Sequence, residues 1–233
     1  MRFVASHTML NDYDTCPRKM YLKHISRTYP FEESTHLVWG REVHKGFEHR
    51  LRSGVDLPDN MRQFEPLAAA VSKIGPKILT EAGWTITKDG RAMPWSYRGA
   101  DAWYKAKLDT VIFNEAFTVA VDVDWKTGKR REDPAELAGQ ALVLKRAFPK
   151  LQRISAMYMW LNELQPGVMY HFEDPVTTVQ PHLETVIAAI DETLTAGDEF
   201  IPTPGPLCAW CSCVAMNSTA PATLPRCKFG KKG

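Results

Sequence analysis

Hydrophobic and polar residues alternate near the middle of the chain, which predicts a strand that ends in a polar turn. From 117 to 125 the odd-numbered residues are Phe, Val, Val, Val and Trp, whereas the even-numbered positions up to 126 include Asp122, Asp124 and Lys126. Side chains of a strand point alternately to its two faces, so one face is predicted to be core and the other not. Two carboxylates and an ammonium group cost free energy to desolvate, so they indicate a functional site or, alternatively, an exposed salt bridge.

Apolar periodicity predicts the remaining elements. The short link 114–116 predicts a hairpin, which brings Asp109 of one strand close to Asp124 of the next. This order of elements predicts an α/β fold with a central mixed sheet flanked by helices. We predict helices over 6–24 with a break at Cys16-Pro17, over 35–52, 67–82 and 135–148, and from Pro181 onward, and strands over 103–113, 117–126, 154–161 and 168–172, with a turn at 165–167.

Length and composition fit an ordinary globular protein. The chain has 233 residues, of which 44% are hydrophobic, so we expect a single domain over 1–233 with a flexible tail at 228–233. No apolar run approaches the roughly 20 residues of a membrane-spanning helix, and the N-terminus lacks a signal-peptide pattern. We therefore expect a cytoplasmic protein without a membrane partner. The net charge of +2 neither requires nor excludes nucleic acid.

The two strands of the predicted hairpin carry the residue types needed for metal-assisted phosphodiester hydrolysis. Divalent ions in such sites take oxygen ligands and keep positions open for water and the scissile phosphate. Asp109, Asp124 and the backbone carbonyl of Trp125 are the candidate oxygen ligands. Lys126 lies on the same strand face as Asp124 and could orient or activate the attacking water while neutralising developing charge.

Basic and aromatic residues alternate near the N-terminus. Arg18, Lys19 and Tyr21 form a mixture suited to phosphates and unstacked bases, although a solvated amphipathic helix would have the same pattern. Lys129, in the turn after the central strand, is a fourth candidate DNA contact. His44 lies between apolar helix positions and is therefore predicted at the buried edge of its helix.

Four of the five cysteines are concentrated near the C-terminus. Cys208, Cys211, Cys213 and Cys227 lie there, whereas Cys16 stands near the start. In a cytoplasmic protein this crowding suggests metal or cluster ligation before disulfides. By spacing alone, the Cys-x-x-Cys pair with two further thiols favours zinc.

Taken together, these motifs resemble the RecB-like branch of the PD-(D/E)XK nucleases, which includes CRISPR-adaptation exonucleases and many phage exonucleases. The resemblance rests on Leu108-Asp109, on Val121-Asp-Val-Asp-Trp-Lys-Thr-Gly-Lys129, on Gly40-Arg-Glu-Val-His44 and on Gln140. Segments around Cys16 and over 202–211 are similar to the cysteine-bearing ends of the iron–sulfur members. The motifs occur in the family's order along nearly the whole chain.

The resemblance implies a role for each matched residue. His44, Asp109 and Asp124 would bind Mg²⁺ or Mn²⁺, Lys126 would be the catalytic lysine, and Gln140 would place the substrate or the lysine. Asp122 is the rival of Asp124, but the family pattern puts the acid two positions before the lysine. An imidazole ligand suits Mn²⁺ better than Mg²⁺.

The resemblance also implies a [4Fe–4S] cluster that joins the two ends of the chain, with zinc as the competing interpretation. The cysteine-bearing subregion that holds this cluster would comprise residues 1–30 and 200–227. The implied ligands are Cys16, Cys208, Cys211 and Cys227, with Cys213 as a spare or substitute ligand.

Two features depart from the family pattern. Leu144 stands where the family often has a tyrosine four residues after the motif glutamine, which removes an expected DNA contact. Of the C-terminal cysteines, Cys213 comes too early and Cys227 rather late.

The expected function is that of a metal-dependent DNA exonuclease acting on DNA ends or single strands. Its partners would be DNA and proteins of recombination, phage or CRISPR-adaptation systems. A catalytically inactive DNA-binding or partner-docking module is one alternative, and a zinc-stabilised interaction protein is another.

Overall fold

The computed structural model of the chain describes residues 3–29, 34–213 and 227. The chain divides into two compact units, one of Glu33–Glu184 with Met1 and the other of Arg2–Glu32 with Thr185–Gly233. The cysteine-bearing segments at the two ends therefore belong to the same unit. The single domain over 1–233 stays a prediction, and the tail at 228–233 lies outside the described residues.

The larger unit contains a seven-stranded mixed sheet with the order β2-β1-β3-β4-β5-β6, and β7 also pairs with β5. Strands β4 and β5 are parallel, and the other neighbouring strands are antiparallel. This arrangement confirms the predicted α/β class with a mixed central sheet. The strands are β1 (Lys77–Thr87), β2 (Ala92–Pro94), β3 (Ala102–Phe113), β4 (Val119–Lys126), β5 (Arg153–Trp160), β6 (Gln165–Pro166) and β7 (Tyr170–Phe172).

The two helices that flank the site, α3 and α5, begin at residues with recognisable capping chemistry. The Ser34 side chain accepts a hydrogen bond from the backbone N–H of Leu37 at the start of α3, and Gly54 ends α3 in the left-handed conformation. Asp133 caps α5 in the same way, with Pro134 at its first position. The α-helices are α1 (His7–Thr15), α2 (Pro17–Met20), α3 (Thr35–Ser53), α4 (Glu65–Val71), α5 (Pro134–Ala147), α6 (Pro175–Thr178) and α7 (Gln180–Ala196); shorter helical turns cover Tyr21–Ile25, Asp59–Phe64 and Pro206–Trp210.

The described helices agree with the predicted break at Cys16-Pro17 and with the predicted helices over 35–52 and 135–148. No helix in the described part of the chain has the length and apolar content needed to span a bilayer.

The predicted hairpin between β3 and β4 is confirmed. The strands pair in the register Thr110 with Val123, and the Asn114 side-chain oxygen accepts hydrogen bonds from the backbone N–H groups of Thr118 and Val119. These bonds fix the turn, and the turn fixes the register. The pairing runs from Ala120 opposite Phe113 to Val123 opposite Thr110, and Asp124 and Asp109 are the next residues along the two strands.

Both faces of β4 are covered, which contradicts the prediction that only one face is core. Val123 and Trp125 pack with Val43 and Phe47 of α3 in one cluster. On the other face Ala120 and Asp122 are fully buried. Helix α5, which contacts β1, β3 and β5, contributes buried Leu137, Ala141 and Leu144. Strands β4 and β5 are a parallel pair, and parallel strands are usually buried on both faces.

Strand β1 corrects the prediction of a helix over 67–82. Helix α4 ends at Val71, and from Lys77 the chain forms a strand along β3, with Lys77 opposite Phe113. The break falls at Gly75-Pro76, where a helix is expected to stop. Long-range pairing with β3 decided the conformation of the residues that follow.

The end of the sheet also differs in detail from prediction. Residues 165–167, predicted as a turn, include the short strand β6, and the last strand covers Tyr170–Phe172 rather than 168–172. Each of these strands pairs with β5, and this pairing sets where it begins and ends.

Candidate active site

Adjacent strands bring Asp109 and Asp124 together, as the hairpin predicted. The backbone N–H of Trp125 donates a hydrogen bond of 2.9 Å to Oδ2 of Asp109. The Asp109 charge contributes to a raised pKa of Asp124, after the larger effect of burial. The two carboxylates therefore interact electrostatically at the C-terminal end of β4.

His44 of α3 lies beside both strands. Its Nε2 is 3.0 Å from the Trp125 carbonyl oxygen and donates to it, because a carbonyl can only accept. Its Nδ1 lies 3.1 Å from Oδ1 of Asp109 and 3.6 Å from Oε1 of Glu81. Burial alone would lower the pKa of His44, but the interactions with the two carboxylates raise it to about 10. The imidazole therefore holds a proton in the position where a metal ion would bind.

Glu81 of β1 is a site residue that the sequence analysis missed. It has a φ of +52°, which is unusual for a residue other than glycine. Its carboxylate contacts both His44 and Lys107. Burial would raise the pKa of Glu81, but these two partners lower it. Recognising β1 as a strand would have revealed Glu81, because Thr80 pairs with Thr110 and Ala82 with Leu108, which leaves Glu81 and Asp109 between these two pairs.

Asp124 is held by two of the predicted residues. The side-chain amide of Gln140 on α5 donates a hydrogen bond of 3.0 Å to Oδ2 of Asp124. The ammonium group of Lys126 lies 3.0 Å from Oδ1 of Asp124. The structure thus brings Gln140, Asp124 and Lys126 into direct contact.

Glu136 and Tyr158 complete the surroundings of Lys126, and the sequence analysis missed both. The Lys126 ammonium is 2.9 Å from Oε2 of Glu136 and 5.0 Å from the centre of the Tyr158 ring. The Tyr158 hydroxyl lies 2.9 Å from the same glutamate oxygen. Burial would lower the pKa of Lys126, but Asp124 and Glu136 raise it, so the lysine is charged at neutral pH. Glu136 could have been found from its position four residues before Gln140, on the same face of α5.

Asp122 occupies a different environment from Asp124. It is fully buried, and neither of its carboxylate oxygens has a hydrogen-bond partner among the described residues. Burial, followed by the charges of Asp124 and Asp109, raises its pKa well above the usual range. Burial therefore favours the neutral form of this carboxyl group in the core beside the site.

The site contains ligands that suit a divalent cation. Ligand atoms of His44, Glu81 and Asp109 lie within 4.8 Å of one another, the one such set of His, Cys, Asp or Glu side chains found in the described parts of the chain. Asp124 lies outside this set, with its oxygens directed to Gln140 and Lys126. One imidazole with two carboxylates fits Mn²⁺ well and is compatible with Mg²⁺. The residues present therefore fit the metal that the resemblance implies.

The four predicted DNA contacts differ in their exposure and in their partners within the protein. Arg18 is 3.4 Å from Glu199, and Lys19 is ion-paired with Asp12. The Tyr21 ring stacks on Phe200 at 5.1 Å, so it is engaged within the protein. Lys129 is exposed in the loop that follows β4.

Asp12 is the anchor of this basic segment. It is buried, and it contacts Lys19, Lys23 and His24. Burial would raise its pKa, but hydrogen bonds from these three side chains lower it far below the usual range. Asp12 therefore stays ionised and holds the cationic side chains in place.

All five cysteines line one cavity of about 590 Å³ in the smaller unit. Backbone N–H groups of Thr203 and Gly205 donate to the sulfurs of Cys16 and Cys208 at 3.5 and 3.3 Å. The pKa of Cys211 is lowered by a hydrogen bond from the Cys213 thiol, with help from Lys19 and Lys23. Cys211 is therefore favoured as a thiolate, the form that binds zinc and iron–sulfur clusters, whereas the hydrogen bond to Cys211 and burial raise the pKa of Cys213.

The thiols are not arranged as a preformed zinc site. Tetrahedral Zn–S bonds of about 2.3 Å place sulfurs roughly 3.8 Å apart. Within 3–29, 34–213 and 227, no three cysteine sulfurs gather inside 4.8 Å.

A mixed sheet flanked by helices, with acidic residues and a lysine on adjacent strands, defines the restriction-endonuclease-like class of fold. The chain belongs to the PD-(D/E)XK nuclease superfamily, because the model of that family matches residues 4–216. Nucleases of this superfamily use divalent metal ions, and membership implies DNA as the substrate.

Two solved structures resemble the chain. One is an Eubacterium rectale protein provisionally named an exonuclease, with 16% identity, a TM-score of 0.51 and coverage of 90% of this chain and 87% of that one. The other, SSO0001, has 15% identity, a TM-score of 0.40 and coverage of 91% and 84%. At such identity the first shows a shared fold alone, and the second carries no argument. No curated protein sequence matches the chain.

Proposed function

We propose that the protein is a metal-dependent DNA exonuclease of the RecB-like branch, acting on DNA ends or single strands. One observation carries this proposal: a set of possible metal ligands lies beside a carboxylate that contacts a lysine and a glutamine at the end of β4. The possible ligands are His44, Glu81 and Asp109, and the second group is Asp124, Lys126 and Gln140. Such a site has a place for a divalent cation next to a place for a phosphate.

The cation would be held by His44 and Asp109 with Asp124 or Glu81, and the Trp125 carbonyl is a further oxygen donor. When bound, a divalent ion polarises the scissile phosphate and lowers the pKa of a water molecule. Glu81 adds a carboxylate to the ligands that the sequence predicted.

Lys126 acts as a cationic hydrogen-bond donor in this proposal. Its raised pKa keeps it protonated at neutral pH, which disfavours a role as general base. Its ammonium group stabilises the charge that develops on a non-bridging phosphate oxygen when the attacking water forms its bond to phosphorus and the leaving oxygen departs. Gln140 and Glu136 hold Asp124 and Lys126 in position.

Arg18, Lys19, Tyr21 and Lys129 remain the proposed DNA contacts. Arg18 and Lys19 are both partly exposed and ion-paired, and Tyr21 stacks on Phe200, so Lys129 is the most accessible of the four. Proteins of recombination, phage or CRISPR-adaptation systems are proposed partners, and the cytoplasm is the proposed location.

We also propose that Cys16, Cys208, Cys211 and Cys227 hold a [4Fe–4S] cluster, with Cys213 as a substitute ligand and zinc as the alternative occupant. In support, these cysteines line one cavity, with backbone N–H groups directed at two of the sulfurs. The cluster would join the two ends of the chain within one unit.

The test is digestion of end-labelled single-stranded, duplex and covalently closed circular DNA in Mn²⁺ by anaerobically purified protein. The wild type is expected to release nucleotides from linear DNA and to leave the circle intact. Asp124→Asn and Lys126→Met are expected to lose at least about a hundredfold in rate, the scale of removing one transition-state donor. Glu163→Gln, at an exposed surface pair, is the matched control.

The alternatives predict other results. Undiminished DNA binding with no cleavage in either metal would indicate an inactive binding module. Zinc without iron in a protein that neither binds nor cleaves DNA would indicate an interaction protein. Full activity in Asp124→Asn would show that the site is assigned incorrectly.

A further inference from the structure

Apolar side chains are concentrated on the surface of the cysteine-bearing segment. Ile201 is 75% exposed, Leu207 64% and Trp210 85%. Single exposed apolar residues are common, but three within ten positions indicate an interaction surface.

Trp210 differs from the other exposed tryptophan. Trp95, in the larger unit, is 37% exposed, and the ammonium group of Lys105 lies 4.6 Å from its ring centre. The indole of Trp210 has a far larger free surface. It nevertheless lines the cysteine cavity, so it lies at the cavity rim, with one part of the side chain turned inward and most of it in solvent.

The charged residues that line this cavity are all cationic. In the described parts of the chain they are Arg18, Lys19 and Lys23. Each of the three is partly exposed and has an acidic partner: buried Asp12 contacts both lysines, and Glu199 lies 3.4 Å from Arg18 with most of its side chain in solvent. An exposed aromatic side chain therefore lines the same cavity as three partly exposed cationic side chains.

We propose that Trp210 is a stacking platform for an unpaired base of single-stranded DNA, with Arg18 and the two lysines contacting the adjacent phosphates. This inference rests on the proposed function, for which it names the strand form that the smaller unit binds. Binding sites for single strands combine stacked aromatic rings with a positively charged groove in this way.

The exposed indole ring together with the nearby cations favours single-stranded DNA over duplex DNA or an apolar protein partner. Bases in a duplex already stack on each other, so the indole ring could contact them only after they were unstacked. An apolar protein partner would bury Trp210 but would offer no anionic group to the three partly exposed cations. Phosphates with a free base next to them satisfy both features.

The experiment measures binding of a fluorescent single-stranded oligothymidine and of a blunt duplex to the full-length, anaerobically purified protein. No divalent metal is added, so that cleavage does not interfere. Trp210→Ala is expected to weaken oligothymidine binding by about tenfold, the scale of one stacked base, and to leave duplex binding unchanged. Trp210→Phe should recover most of the affinity, because phenylalanine keeps an aromatic face.

Two further variants test the details. Trp95→Ala is the matched control and should bind like the wild type. Arg18→Ala should reduce the slope of log affinity against log salt concentration by about 0.7, which corresponds to one phosphate contact.

Each result is decisive. Wild-type affinity in Trp210→Ala, equal losses for single strand and duplex, or no recovery in Trp210→Phe would overturn the proposal. Matching metal content and thermal unfolding between the variant and the wild type exclude loss of folding. A wild type that binds through Trp210 yet never cleaves would refute the proposed nuclease function and leave the stacking site intact.

Discussion

His44 contacts a carbonyl through one ring nitrogen and two carboxylates through the other. Without a metal ion, the protonated ring lies between the carboxylates of Asp109 and Glu81, which would otherwise repel each other. The ligand form of histidine is neutral, so metal binding and proton release are coupled at this residue.

The first prediction follows from the pKa of His44, which is raised to about 10. At pH 7.5 the ring is protonated, and Mn²⁺ binding should release about one proton. Mn²⁺ affinity should therefore rise about tenfold per pH unit and level off above pH 10, where the ring is already neutral. Calorimetry in two buffers of different ionisation enthalpy measures the released proton, and identical heats in both would contradict the prediction.

Glu81 provides the second prediction. If its carboxylate is a ligand, Glu81→Gln should weaken Mn²⁺ binding by at least about tenfold, because an amide oxygen carries no net charge. Titration followed by electron paramagnetic resonance measures the affinity without relying on activity. Glu163→Gln is the control, and equal affinities in the two variants would exclude Glu81 from the site.

Asp122 provides the third prediction, on stability. Its buried carboxyl group has no hydrogen-bond partner among the described residues, so Asp122→Val should stabilise the fold by about 1–3 kcal/mol. Urea unfolding measures this change, and Asp122→Asn, which keeps a buried polar group, should gain less. Cleavage should persist in Asp122→Val, whereas its loss would favour Asp122 over Asp124 as the metal ligand.

At the scale of elements, α5 determines how the site is held. The helix begins at the Asp133 cap, and it places Glu136 and Gln140 against Lys126 and Asp124. One turn further on, Leu144 is fully buried. The family's tyrosine position therefore lies in the core of this protein, and the tyrosine ring beside Lys126 belongs to Tyr158 of β5.

The fourth prediction tests this placement. Leu144→Tyr should not add a DNA contact, and it should destabilise the fold by about 1–3 kcal/mol, because the added ring and hydroxyl overpack a filled core. Leu144→Met, which nearly conserves volume, is the control. Denaturant unfolding of both variants gives the comparison, and unchanged stability together with faster cleavage in Leu144→Tyr would show that the position faces substrate.

At the scale of the whole molecule, the smaller unit is formed from the two ends of the chain. A metal group held by cysteines from both ends would stabilise it, because such a group binds the folded state only. The five cysteines form no disulfide bonds, so no covalent cross-link joins the two ends of the chain in this unit.

The fifth prediction therefore concerns Cys208→Ser. The variant is expected to lose iron and visible absorbance and to unfold at a lower temperature than the wild type. Cys213→Ser, the matched control, should keep most of its iron if Cys213 is the spare thiol. Equal iron in wild type and Cys208→Ser would contradict the proposed ligand set, and zinc in place of iron would support the alternative occupant.

Much of the fold and the candidate site could be predicted from local patterns. The alternation along β4 and the short link 114–116 predicted the hairpin, and the hairpin placed Asp109 close to Asp124. Glu81 could not be predicted in the same way, because the residues around it become a strand only through pairing with β3. A short apolar run is compatible with helix or strand until its partner is known.

The sequence by itself determined the α/β class, the β3–β4 hairpin and the residue types of a metal-dependent nuclease site, since these depend on periodicity and on neighbours along the chain. Only the tertiary structure decided that Asp122 is buried while Asp124 contacts Lys126, that Glu81 joins His44, and that Leu144 lies in the core. These outcomes depend on which distant segment covers each face of the sheet, and the packing of α3 and α5 against that sheet sets burial and charge at every site residue.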